Sequence, residues 1–100
     1  MNEKIVVDVD HELEDLMPLF METRQRDLAG LEAGLAMNDH AALRAIGHGM
    51  KGSGGAFGFP LITEMGDLIE SNALLKDVAA VEKQYLKLRD YLSKVHVNYV

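Results

Sequence analysis

The stretch Val78-Ala79-Ala80-Val81-Glu82-Lys83-Gln84-Tyr85-Leu86-Lys87-Leu88-Arg89-Asp90-Tyr91-Leu92-Ser93-Lys94-Val95 decides the fold. Val78, Val81, Tyr85, Leu88, Leu92 and Val95 alternate steps of three and four residues, the seam that a helix of an antiparallel bundle turns toward its neighbours. Upstream, Pro60 opens another helix, expected to carry Leu61, Met65, Leu68 and Ile69 inward and to end near Asn72 to Leu75. Asn38-Asp39 reads as a stop followed by a start: Asp39 caps a helix that runs to about Ala56, with Gly58 as its left-handed terminator. From Pro18 to about Met37 the positions Phe20, Leu28, Leu31 and Leu35 keep one face, with Arg24, Arg26 and Glu32 expected to cover the rest. A short helix should precede it, capped by Asp10 and carrying Glu12 and Glu14 in its first turn, where the helix dipole favours negative charge. Beyond an extended Ile5-Val6-Val7 there is no strand alternation, no repeat and no low-complexity linker. The expectation is an all-α chain: one domain over residues 1–100, an antiparallel up-down four-helix bundle with an extra short N-terminal helix.

Composition narrows the function. One hundred residues with 48% apolar content suit a single core. The absence of Cys excludes disulfides and thiolate metal sites. The apolar start is too short for a signal peptide, and no run is long enough for a membrane span, so a cytoplasmic protein is expected, with no membrane partner. A formal net charge of −6 argues against nucleic acid, because affinity for phosphate backbones comes from clustered Lys and Arg. The charge is uneven, however: from His40 to Thr63 there is no Asp or Glu, while Arg44 and Lys51 lie there, a locally positive window.

That window holds Arg44-Ala45-Ile46-Gly47-His48-Gly49-Met50-Lys51-Gly52-Ser53-Gly54-Gly55. On a helix, Leu43, Ile46, Met50 and Phe57 form one apolar stripe, and His48 points roughly 190° from its centre, into water. Arg44, Lys51, Gly52 and Gly55 share the outward face, so the imidazole is expected between two cations and two places without side chains. Six of the nine glycines fall between Gly47 and Gly58, each costing a helix interior about 0.8–1 kcal/mol relative to Ala. Either packing holds this segment helical or it is a loop. A solvated surface histidine is the ordinary reading of His48, but it leaves the glycines beside it unexplained; His11, His40 and His96 have no such surroundings.

Other chemistries fit poorly. A nucleotide-binding P-loop needs Gly-Lys-Ser after a strand, whereas Lys51 precedes Gly52-Ser53 and follows an apolar helix. At helical spacing His48 has only Ala45, Arg44, Lys51 and Gly52, so no metal site is expected. Ser53 lies on a different face, and no Cys is present for a nucleophilic pair.

Residues 40 to 59, above all His48-Gly49-Met50-Lys51-Gly52-Ser53, resemble the signature of histidine-containing phosphotransfer domains, His-x-Leu-Lys-Gly-Ser followed by small residues and a large apolar residue with Gly; Phe57-Gly58 supplies that ending. Met50 replaces the usual Leu, and Gly47, Gly49, Gly54 and Gly55 are additional glycines. The likeness extends over about residues 9 to 95. It implies a phosphorelay intermediate without a kinase or nucleotide site of its own. His48 would accept a phosphoryl group from a receiver-domain aspartate and pass it to another receiver. A neutral imidazole does this without a partner base, while Lys51 would steady the transferring oxygens. Mg²⁺ would come from the receiver, the domain needing no cofactor of its own. Arg44, Gly52 and Gly55 would form the docking face. The implied partners are response-regulator receivers and a hybrid sensor histidine kinase, the domain itself being a monomer. Two alternatives remain: a histidine-phosphorylated substrate domain of a chemotaxis-type kinase, and a module that binds receivers without being phosphorylated.

Overall fold

The computed structural model describes residues 3–100. In chain order they form β1 (Ile5–Val9), a 3-10 turn (His11–Leu16), α1 (Met17–Met37), α2 (His40–Ser53), a second 3-10 turn (Gly55–Phe57), α3 (Pro60–Leu74), α4 (Val78–Lys94) and β2 (Val95–Tyr99). Side-chain chemistry sets the boundaries. Asp10, Asp39 and Asp77 each accept a hydrogen bond from a backbone N–H of the following turn, satisfying donors that a helix start leaves open. Pro18 and Pro60 stand in the first turns of α1 and α3, where a missing N–H costs nothing. Asn38 ends α1 in the left-handed region (φ 53°), as the Asn38-Asp39 reading expects.

The short links join successive helices into a closed cycle, α1 on α2, α2 on α3, α3 on α4 and α4 back on α1. Leu31, Leu43, Met50, Ile62, Ile69, Val81 and Leu88 are fully buried along its axis, each contributing about 1.5–3 kcal/mol. The closest pair is α2 with α3, and glycine is the reason. A Cβ at Gly47 would lie 2.6 Å from the backbone nitrogen of Glu70, and one at Gly66 would lie 2.7 Å from the carbonyl oxygen of Gly47. The two backbones meet where neither has a side chain.

Several sequence expectations need correction. The extended Ile5-Val6-Val7 is a strand with a partner: β1 pairs in parallel with β2, in register from Ile5 with Val95 to Val9 with Tyr99. Val95 therefore leaves the α4 seam and starts a strand, a long-range pairing to which helical periodicity is blind. α2 ends at Ser53 rather than near Ala56, because the chain tightens into the 3-10 turn before Gly58 (φ 86°) reverses it. The short N-terminal helix exists but is of the 3-10 type. Leu61 and Leu68 are exposed, and Ile62 takes the inward position beside Met65 and Ile69. Arg24 does not cover the surface of α1; it is 3% exposed. Its guanidinium lies 4.7 Å over the Phe20 ring, donates to Asp27 Oδ2 (2.8 Å) and reaches Ser53 Oγ (2.7 Å) at the end of α2. Phe20 itself stacks between Phe57 and Phe59 at 4.6 and 5.0 Å.

Candidate functional site

α2 sets its buried stripe, Leu43, Gly47 and Met50, against the bundle, which leaves His48 on the outer side with 76% of its side chain exposed. The outward placement read from helical phase holds. So does the open space beside it: a Cβ at Gly49 or Gly52 would meet nothing within 4 Å. The glycines of this segment thus divide into two groups. Gly47 and Gly54, with Gly66 opposite, permit close approach of α2, its following turn and α3; a Cβ at Gly54 would lie 2.6 Å from the Thr63 nitrogen. Gly49 and Gly52 leave a bare surface. Gly55 lies beyond α2, where helical phase does not govern its direction, and its N–H donates to Thr63 Oγ1 at 2.7 Å.

The locally positive window does not survive folding. α3 brings Asp67 and Glu70 to the same face. The ring Nδ1 of His48 lies 2.6 Å from Glu70 Oε2, and Lys51 Nζ lies 3.1 Å from Asp67 Oδ1 and 3.4 Å from Glu70 Oε1. A carboxylate only accepts, so this contact assigns the proton to Nδ1 and leaves the lone pair on Nε2. The hydrogen bond from His48 is the largest influence on the Glu70 carboxyl and holds it below its ordinary value; desolvation opposes this, and Lys51 adds to it. Lys51 is shifted upward, first by its hydrogen bond to Asp67 and then by Glu70. Arg44 is exposed and lines the same depression as Ala41, Ala45, His48 and Glu70. Ser53, set aside as a nucleophile, turns the other way: its hydroxyl donates to the Gly49 carbonyl and receives Arg24.

Of the residues singled out from sequence, His48, Lys51 and Arg44 share one face and Gly52 lies open beside them. Glu70 and Asp67 were missed. A signal for them existed: Asp67-x-x-Glu70 repeats the three-residue spacing of His48-x-x-Lys51, so acids and bases recur in step on adjacent antiparallel helices. Among the described residues, Glu70 is the carboxylate within hydrogen-bond reach of the His48 ring. No helix among the described residues is long and apolar enough to cross a membrane.

Comparison with curated proteins and with solved structures gave no match. The family model of the Hpt domain matches residues 11–97, a span that takes in all four helices, His48 and Glu70. The chain belongs to the Hpt domain family, which carries out histidine-containing phosphotransfer in two-component signalling and acts with the receiver domains of response regulators.

Proposed function

We propose that His48 is the phosphoryl acceptor and that the protein is a relay intermediate, taking the group from one receiver aspartate and giving it to another. The observation that carries this is the pairing of an exposed imidazole with Glu70 through Nδ1 alone. Nε2 then faces solvent as the nucleophile. It attacks the phosphorus of an aspartyl phosphate in line; the N–P bond forms, the P–O bond breaks, and the electron pair returns to the departing carboxylate. The ring keeps its Nδ1 proton and becomes cationic, a charge that Glu70 is placed to balance. Glu70 is a positioning residue: it fixes the tautomer and ring orientation without touching the phosphoryl group. Lys51, one turn from His48, would exchange a carboxylate contact for the phosphoryl oxygens and steady their charge. The bare turn at Gly49 and Gly52 lets a receiver approach closely, with Arg44 flanking it. Mg²⁺ would be the receiver's contribution, and response-regulator receivers, fed by a hybrid sensor histidine kinase, the partners.

The test is incubation with a phosphorylated receiver and Mg²⁺. The label should reside at His48 with the acid-labile, alkali-stable behaviour of a phosphoramidate, and His48→Gln should abolish it while retaining the fold. Labelling that persists in that variant would overturn the assignment. Labelling by a kinase core and ATP, with no transfer from any receiver, would instead make the protein a kinase substrate domain.

A further inference from the structure

On the side of α3 away from His48, Leu61, Met65 and Leu68 face Gln84 and Tyr91 of α4 across a half-open cavity of about 280 Å³, which Ile5 of β1 also lines. Two of its walls are unusual. Gln84 and Tyr91 are 7% and 6% exposed, and neither side chain has a hydrogen-bond partner among the described residues. Buried polar groups are ordinarily satisfied, so a carboxamide and a phenol without a protein partner must meet water or a bound molecule. The contrast is Tyr85 on the same helix, whose hydroxyl donates to Glu32 at 3.1 Å. Among the described residues, no fully enclosed side-chain nitrogen or oxygen lacks a partner. The Gln84 and Tyr91 polar atoms therefore retain an opening, and the space their side chains line is this cavity.

We propose that the α3–α4 cavity binds a small molecule with an aromatic or branched aliphatic body and a neutral hydrogen-bonding end, such as an alcohol, phenol or amide. Size fits: an apolar cavity of about 150 Å³ takes a benzene ring, so this one holds a ring with a short polar arm. The apolar wall of Leu61, Met65 and Leu68 takes the body, and Gln84 and Tyr91, each able to donate and accept, take the polar end. Charge argues for a neutral end. At the rim Glu64 and Lys87 are of opposite sign, and Asp90 is tied to Lys94 at 3.1 Å, so no net charge awaits an ion that must be partly desolvated. Burial pushes the Tyr91 phenol up, keeping its proton available for donation at neutral pH. The role of His48 does not enter this proposal, and the two stand or fall separately.

The test uses the whole protein and three probes of one shape: phenethyl alcohol, phenethylamine and phenylacetate, titrated while the methyl signals of Leu61, Met65 and Leu68 are followed by NMR. The alcohol should shift these signals saturably and bind at least threefold tighter than either charged analogue. Gln84→Leu should weaken it by at least fivefold. Tyr91→Phe, which removes only a hydroxyl without a partner and so leaves the fold intact, should weaken it by a similar factor. Absence of saturable shifts with the alcohol, equal binding of the three probes, or wild-type affinity in Tyr91→Phe would each overturn the proposal.

Discussion

Alanine at two glycines of the same helix should act in opposite directions. At Gly52 and Gly49 a Cβ meets nothing within 4 Å and neither φ is positive, so each replacement recovers the helix-propensity cost of glycine, about 0.8–1 kcal/mol. At Gly47 the same gain is available, but the new atom would sit 2.6 Å from the Glu70 nitrogen and 2.8 Å from the Gly66 oxygen. Those are backbone atoms that no rotamer change removes, so α2 and α3 must separate, at the upper part of the roughly 1–3 kcal/mol seen for overpacking. Gly47→Ala should therefore be net destabilising by about 1–2 kcal/mol. For a domain of this size about 1 kcal/mol moves Tm by roughly 4–8 °C. Thermal unfolding by circular dichroism should show Gly49→Ala and Gly52→Ala each raised by about 3–8 °C and Gly47→Ala lowered by about 4–16 °C. A Gly47→Ala protein as stable as its parent would refute the claim that glycine at 47 exists to let two backbones meet.

Three further perturbations probe the remaining contacts. Arg24→Met should cost about 3 kcal/mol in denaturant unfolding, because it leaves Asp27 partly buried without its cation, whose own burial already pushes that carboxyl up; Arg24→Met with Asp27→Leu should recover much of the loss. The Glu70 carboxyl, lowered from 4.5 by His48, should titrate below that value in carbon NMR; since a lowered carboxyl stabilises above its unfolded pKa and ceases to as pH falls through the folded one, the contact should persist at neutral pH and dissolve only in acid, and a midpoint at or above 4.5 would contradict it. Gly52→Gln should hold or raise stability while lowering receiver affinity or transfer rate, whereas unimpaired transfer would remove Gly52 from the docking face.

How far the sequence could be read follows from what each feature depends on. The helices were legible because caps and periodicity are local: Asp39, Asn38, Pro18, Pro60 and the α4 seam lie within the segments they govern. His48 was legible for the same reason, helical phase alone turning it outward. Features that depend on distant parts of the chain were not. β1 was visible only as an extended apolar run, since its partner lies some ninety positions away. Charge counted along the chain overstated the positive environment of His48, because Asp67 and Glu70 arrive from another helix and offset Arg44 and Lys51. Arg24 reads as a surface residue by type and is buried only because Asp27, Ser53 and Phe20 together take up its charge, its donors and its flat face. The crowded glycines suggested a single purpose and turned out to serve two, which no composition count distinguishes.

The parallel pairing of β1 with β2 also has a mechanical meaning. Chain enters the ladder at Ile5 and leaves it at Tyr99, at opposite ends of two strands that run the same way. Tension transmitted through the flanking chain therefore pulls the strands lengthwise past each other rather than peeling them apart from one end. The inter-strand hydrogen bonds lie across that pull and resist as a group. The bundle that carries His48 is in this way shielded: a load must shear the ladder before it reaches α1 or α4. In single-molecule stretching the first rupture should be the release of these strands, with the four helices still packed behind it.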